Sequence, residues 1–495
     1  MNKCAVHSRA QVGIDSPEVT VETHLQSGSP GFVLVGLPES ALREARTRVK
    51  SAIQNSGYAY PRERIVVNLA PADLAKEGTR YDLAIAVAIL VANGSLKADA
   101  AAKFEFLGEL GLYGELRATR GSLCAALAAR NSRRTLVVPA ANFHECQGMV
   151  DNAVAASSLR EVVELVRTGL APHQPPANPS TQQLSGAEHR IIGQEAAKRA
   201  LTVAAAGGHH VLMIGPPGAG KTMLARVFAD LLPPLATEDA VAVSAIYSAA
   251  SEPAPGVRPP LRCPHHSASA AALVGGGPQG RPGEITLAHR GVLFLDELPH
   301  FKPTVLDHLR EPLQSREIQL SRARYKLRYP ADFQLVAAMN PCPAGRTCRE
   351  QMCRCTPNQR DRYQARISGP LLDRIDLHVR VPEVPAARLS EPAPEDDLAR
   401  ARNQVAAAQQ RQKERQGGLN SAAVVDPIAE HLHRDARQLL AAVTESGALS
   451  ARSYHKMLRV SRTIADLAEA DQVERVHVAE ALGYRALDWE KGVTG

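Results

Sequence analysis

The stretch Gly215-Pro-Pro-Gly-Ala-Gly-Lys-Thr222 lies between HVLMI (210–214), an apolar run of strand length, and MLARVFADLL (223–232), which has helical periodicity. It fits G-x-x-x-x-G-K-[ST] in the strand–loop–helix setting that the motif needs. The chain from Gly215 through Pro216, Pro217, Gly218, Ala219 and Gly220 can wrap closely round phosphate oxygens and point its N–H groups at them. The start of the following helix adds a favourable dipole. Lys221 is then placed to neutralise the β- and γ-phosphates, and the Thr222 hydroxyl to ligate Mg²⁺. The plain alternative, a glycine-rich turn that binds nothing, does not explain why strand, loop and helix occur together. We expect a nucleotide site, with ATP and Mg²⁺ as its cofactors.

Further catalytic candidates lie downstream. VLFLDE (292–297) is an apolar strand pattern ending in two carboxylates, Asp296 for the Mg²⁺ shell and Glu297 to polarise the attacking water. FQLVAAM (333–339) is a further strand, and Asn340 after it offers an amide to orient that water. LLDRIDLHV (371–379) presents Arg374 in a loop before a strand, where a guanidinium could reach a neighbouring subunit's γ-phosphate. Its bland reading is a salt bridge to Asp373 or Asp376. LSARSYHKMLR (449–459) places Arg452 at a helix start, able to sense the same phosphate from a helical lid; the alternative is a surface arginine.

The surrounding chain frames this core. Its 495 residues suggest about three domains. Hydrophobic content of 44% and charged content of 22% are ordinary for a globular protein. LAIAVAILVA (83–92) is the longest apolar run, and it falls short of the roughly 20 residues that cross a bilayer. With no apolar signal core at the N-terminus, a cytoplasmic location is expected. Residues 1–170 alternate strand patterns (19–25, 31–37, 64–69) with helical ones (39–54, 81–92), an α/β domain with no phosphate loop. APHQPPANPSTQQ (171–183) reads as an extended linker, and 184–382 as the ATPase core with a parallel sheet. A second linker (383–397) leads to a helical piece, 398–495.

Two stretches suggest partners. After the expected helix LDHLREPLQ (306–314), SREIQLSRARYKLRYPADF (315–333) alternates as a hairpin carrying Arg322, Arg324, Lys326 and Arg328. Such cations contact nucleic-acid phosphates with salt-sensitive affinity; the other reading is a basic edge that resists aggregation. The net charge of +7 is compatible with a polyanion but weak support. Arg400, Arg402, Arg411, Lys413 and Arg415 are read as a solvated helix face. CPAGRTCREQMCRC gathers Cys342, Cys348, Cys353 and Cys355, four thiols able to close a zinc site, against a reading as reduced cysteines. His265 and His266 are read as ordinary loop histidines.

The order of these parts, with PHHSASAAALVGGGPQGRPGEITLAHRGVLFLDELPHF (264–301), resembles the Mg-chelatase-like branch of AAA+ ATPases. VGLPESALREARTRVKSAI (35–53) and KEGTRYDLAIAVAIL (76–90) extend the resemblance to the YifB/ComM family. It implies a homohexameric ring and, for ComM-type members, a helicase driving branch migration of single-stranded or branched DNA during natural transformation. It also implies that the 315–333 insertion faces the ring pore. The front domain resembles a Lon-protease C-terminal (S5-type) domain. Arg80 and Leu123 stand where its serine and lysine would be, so the proteolytic dyad is missing. A chaperone-like motor that remodels a protein and touches no nucleic acid is the alternative function.

Overall fold

The computed structural model describes residues 4–36, 39–74, 76, 78–172, 174, 191–277, 280–322, 325–345, 353–385, 397–447 and 449–485. The first part builds a seven-stranded sheet. Its order is Gly31–Val35, Arg64–Ala70, Glu18–Gln26, Cys4–Arg9, Phe104–Phe106, Thr135–Pro139 and Ala153–Ala156. The pairs of Glu18–Gln26 with Cys4–Arg9 and with Arg64–Ala70 are antiparallel, and the other pairs are parallel. Helix Asp82–Ala92 crosses this sheet buried from Asp82 to Leu90, which its almost unbroken apolar sequence requires. Helix Leu159–Thr168 shows its ends in the sequence. The Ser158 side chain caps the N–H of Glu161, and Gly169 takes the left-handed conformation at φ 73°.

The second sheet has five parallel strands, in the order Leu261–Arg262, Val292–Leu295, Gln334–Met339, Val211–Ile214 and Leu377–Arg380. VLMI (211–214) and VLFL (292–295) are buried at every position, as a parallel sheet covered on both faces demands. Because all five strands run the same way, the sheet has two chemically distinct ends. The phosphate loop, Asp296 and Asn340 follow the C-terminal ends. His210, Gly291, Gln334 and Asp376 stand at the N-terminal ends, roughly 13 Å away for four-residue strands.

Helices Asp397–Gln416, Arg434–Glu445, Ala451–Leu467 and Arg475–Gly483 pack with helix Glu195–Gly207 in one core shared with the second sheet. Asp466 anchors this helical part. Burial alone would raise its pKa, but Arg415, Arg462 and Asn420 bond to it and hold it below the ordinary carboxylate range. Three of the cations read as a solvated helix face are therefore structural. Arg402 donates to the Asp230 carbonyl at 2.7 Å, Arg411 to the Asp466 carbonyl at 2.8 Å, and Arg415 to the Asp466 carboxylate.

LDHLREPLQ is not one helix. Helical turns cover Pro303–Asp307 and Pro312–Ser315, because Pro312 lacks an N–H and breaks the ladder between them. The hairpin does form, Glu317–Arg322 against Tyr325–Pro330 with Ser321 opposite Lys326. Ile318, Leu327 and Tyr329 point inward, leaving Gln319, Ser321, Lys326 and Arg328 exposed.

The N-terminal part docks on the second sheet's flank. Leu123 and Cys124 of helix Ser122–Asn131 pack on Ala245 and Ala249 of helix Thr237–Ala250. Ser248 closes the joint, its hydroxyl accepting the Leu123 N–H at 3.2 Å and its carbonyl that of Gly121 at 3.0 Å. One helix thereby caps the start of another across the two parts. Of the first linker, residues 173 and 175–183 lie outside the described residues, as do 386–396 of the second.

Candidate functional site

Two glycines shape the phosphate loop. Gly220 holds φ 89° immediately before helix Lys221–Leu231, a conformation that a Cβ would strain. A Cβ on Gly215 would sit 2.0 Å from the Val381 carbonyl oxygen, so only glycine lets the loop leave the sheet here. Lys221 is the first residue of the helix and is buried. Its ammonium donates to the carbonyls of Gly215 at 2.7 Å and Pro216 at 2.9 Å, and to Asn340 Oδ1 at 3.1 Å. Burial lowers the Lys221 pKa, opposed by the charges of Asp296 and Glu297. These three acceptors are neutral dipoles, which suits a cation that receives phosphate oxygens.

The Thr222 hydroxyl donates to Asp296 Oδ2 at 2.9 Å, joining two hard oxygen ligands at the mouth of the loop. That pair fits Mg²⁺, which prefers a few protein oxygens beside phosphate and water. Asp296 Oδ1 accepts the Glu297 N–H at 2.9 Å. Glu297 itself adopts φ 52°, uncommon for a side-chain-bearing residue, and its carboxylate is half-exposed. The strand ends at Leu295, so both acids sit on the turn beyond it rather than within it. Strand Gln334–Met339 delivers Asn340 from the neighbouring position, beside Lys221.

Sequence reading assigned no role to the aromatic row beside these acids. His266 Nδ1 lies 3.7 Å from Glu297 Oε2. His265 stacks on His266 at 4.1 Å, His300 meets His266 edge-on at 5.9 Å, and Tyr363 meets His300 at 6.3 Å. The alternation of strands and helices does not reveal this row, because its members come from three separate loops and helices.

Arg374 is placed elsewhere. It lines a cavity of about 720 Å³ at the N-terminal ends of the parallel strands, together with Arg452, Lys456 and Arg459 from the lid. No residue of the phosphate loop lines it. Arg374 donates to the Pro370 carbonyl at 2.7 Å and to Gln314 Oε1 at 2.9 Å, forming no salt bridge to Asp373 or Asp376. Burial lowers its pKa, and the positive charges of Arg452 and Arg310 lower it further. Arg452 is the second residue of helix Ala451–Leu467. Lys456 of that helix pairs with Asp376 at 3.3 Å and donates to the Ile375 carbonyl at 3.1 Å, tying the lid to the loop that carries Arg374. Burial opposes ionisation of Asp376, yet Lys456 and His209 hold its pKa well below the carboxylate range.

The remaining candidates divide by location. Lys326 and Arg328 stand on the exposed hairpin face, and Arg328 pairs with Glu317 at 2.6 Å. The Arg322 backbone is described without its side chain, and Arg324 lies outside the described residues. The sulfurs of Cys342, Cys353 and Cys355 lie within 4.8 Å of one another, and Cys348 is outside the described residues. In the N-terminal part Arg80 is buried, Leu123 is buried, and the Ser122 hydroxyl donates to the Thr119 carbonyl at 3.2 Å. Among the described residues no helix is long and apolar enough to cross a membrane.

Comparison with known proteins agrees with this architecture. The family described as magnesium chelatase, subunit ChlI, matches residues 188–389. Subunit ChlI of Mg-chelatase matches 21–142, and the ChlI C-terminal family 395–485. The protein YifB of Salmonella typhimurium is 45% identical over 498 residues, covering 99% of this chain and 98% of that protein. Competence protein ComM of Haemophilus influenzae is 45% identical over 501 residues, covering 98% of each. Lon protease 2 of Bacillus subtilis is 31% identical over 178 residues, 31% of this chain and 32% of that enzyme. A nucleotide cradle on a parallel sheet, a helical lid and near full-length identity at this level leave one assignment: the chain belongs to the YifB/ComM family of Mg-chelatase-like AAA+ ATPases.

Proposed function

We propose that this AAA+ protein is a ring-forming ATPase that moves DNA, a helicase or branch-migration factor for incoming DNA in natural transformation. The observation that carries the reading is the hairpin 317–330. Its exposed face presents Lys326 and Arg328, its tip carries Arg322 and Arg324 in sequence, and its second strand runs on into the strand that bears Asn340. A DNA backbone held there would be one strand away from the hydrolysis site. The relative named competence protein ComM supports the same setting.

In the hydrolytic step Lys221 meets the β- and γ-phosphates, and Thr222 and Asp296 hold Mg²⁺, which supplies charge compensation on the phosphate oxygens. Glu297 polarises the attacking water, and Asn340 orients it while fixing Lys221. Arg374 and Arg452 stand at the far end of the sheet from their own phosphate loop. In a ring closed by rotation into a homohexamer, that end is free to face the next subunit's nucleotide, so both arginines act in trans on one phosphate. Residues 1–170, 184–382 and 398–495 form the front, ATPase and lid domains of this cytoplasmic motor, and a zinc ion joins ATP and Mg²⁺ as a cofactor at the cysteine cluster.

Measuring ATP turnover of the full chain with forked DNA, with branched DNA and without DNA tests the reading. Stimulation by either DNA is expected. The family descriptions name a chelatase subunit, which favours a motor that remodels a protein partner. Turnover indifferent to every DNA would replace the DNA reading with that one.

A further inference from the structure

We propose that Cys342, Cys353 and Cys355 bind one Zn²⁺ ion, and that this metal clamps Asn340 against the phosphate loop, making hydrolysis metal-dependent. The second half rests on the ATPase role proposed for Asn340; the first does not. The three sulfurs come from two chain segments yet lie within 4.8 Å of one another. Zinc–thiolate bonds of about 2.3 Å place tetrahedral sulfurs roughly 3.8 Å apart, so closure requires only a small inward shift. Cys342 is buried, while Cys353 and Cys355 are half-buried, giving a site closed on one side and reachable by the ion on the other.

Both segments are anchored. Cys342 lies three residues beyond the end of strand Gln334–Met339. Cys355 precedes Thr356, which caps helix Pro357–Gln364 in a reciprocal capping box with Gln359. A bond from one to the other would therefore join a strand end to a helix start. The turn after Cys342 leans on the nucleotide site. The Gly345 N–H donates to the Cys342 carbonyl at 3.4 Å, and a Cβ on Gly345 would come within 3.3 Å of Pro217 and 3.9 Å of Asn340 Nδ2. From the helix side, Tyr363 is buried beside Asn340 and carries a backbone hydrogen bond with it. Asn340 is thus gripped by two elements that a metal on the thiolates would tie together a second time. A cation bound among the three sulfurs would hold them as thiolates, and soft thiolate sulfur selects zinc over Mg²⁺.

The test uses full-length protein purified under reducing conditions. Metal analysis, together with colorimetric zinc release by a mercurial, should find about one zinc per chain, lost in Cys342→Ser and in Cys353→Ser. Cobalt substitution should give the near-ultraviolet thiolate charge-transfer and visible bands of a tetrahedral site. Zinc-stripped wild type should hydrolyse ATP roughly tenfold slower or less, keep its affinity for a fluorescent ATP analogue, and recover on zinc addition. The strip-and-reload arm covers the case in which a serine variant does not fold. Wild type without zinc, or zinc retained by both variants, would overturn the site. Stripped protein turning over at the wild-type rate would overturn the clamp. Metal content is read without nucleotide, so a failure of the ATPase assignment is distinguishable from a failure of the metal site.

Discussion

The ammonium of Lys221 donates to the side-chain oxygen of Asn340 at 3.1 Å, joining the phosphate loop to the end of the neighbouring strand. This bond makes the two residues one unit: Asn340 fixes the cation that meets the phosphates, and the cation fixes the amide that orients water. Their losses should therefore not add. Lys221→Ala should abolish nucleotide binding. Glu297→Gln should bind ATP normally and turn over roughly a hundredfold slower or less. Asn340→Ala should lower both affinity and turnover. Fluorescent-nucleotide titration beside steady-state ATPase separates these outcomes, and wild-type turnover in either of the first two variants would undo the role assignments.

Arg374 and the phosphate loop occupy opposite ends of the parallel sheet, so the two should complement between subunits. Arg374→Ala alone should reduce turnover by roughly a thousandfold or more while leaving ATP bound. Mixed with Lys221→Ala chains, it should regain activity, because the Arg374→Ala subunit keeps a sound phosphate loop and the other keeps its arginine. A mixing curve with no rise above the sum of the two dead proteins would place Arg374 outside the neighbour's site. The same experiment with Arg452→Ala tests whether both arginines serve one phosphate.

What the sequence made legible were local signals. The phosphate loop, the two buried strands and the hairpin alternation are each decided by residues a few positions apart. Elements brought together by the sheet were not legible. Gln314 holds Arg374 across sixty positions, and Lys456 reaches Asp376 across eighty, and no periodicity encodes either contact. The histidine row escaped for the same reason. The two errors also have physical causes. LDHLREPLQ has the apolar spacing of a helix, and Pro312 overrides it. Arg402, Arg411 and Arg415 look solvated because charge usually is, but a long side chain can lay its stem on the core and reach a buried carbonyl or carboxylate.

On the hairpin, Lys326 and Arg328 point away from the apolar side that carries Leu327 and Tyr329, so reversing their charge should spare the core. Lys326→Glu with Arg322→Glu and Arg324→Glu should weaken binding to single-stranded DNA and flatten its dependence on salt. Each lost phosphate contact lowers the log–log slope by about 0.7 for a single strand. The readout is fluorescence anisotropy across a salt series. An unchanged slope would remove the hairpin from the DNA path and leave it as a solvated basic edge.

Acid should destabilise the protein below about pH 6.5, where the unfolded chain's histidines take up protons that the buried rings refuse. His210 and His289 each accept a backbone N–H through Nδ1, from Leu335 at 3.0 Å and from Asp332 at 3.1 Å, so both rings are neutral in the folded state. Burial is the main cause that lowers each pKa, to about 4. Lys456, His209 and Arg316 reinforce the effect on His210 against Asp376, and Arg290 reinforces it on His289 against Asp332 and Asp239. His378 is held at about 4 as well, by burial with Lys456 and Arg485. A depressed histidine pKa means that the unfolded chain takes up the proton first. Stability is therefore intact above the unfolded value of 6.5, falls as the pH drops below it, and the loss is complete near 4. Each ring can contribute on the order of 3 kcal/mol to that loss. Asp376 is depressed instead, so its contribution disappears only at still lower pH, whereas burial raises Asp82 to about 6, so its protonation favours the folded state in the same window and offsets part of the imidazole effect. Urea midpoints should fall steadily between about pH 7 and about pH 5, and His289→Asn, which keeps an acceptor for Asp332, should flatten part of the slope. A midpoint constant over that interval would mean that these rings are not held neutral by the fold.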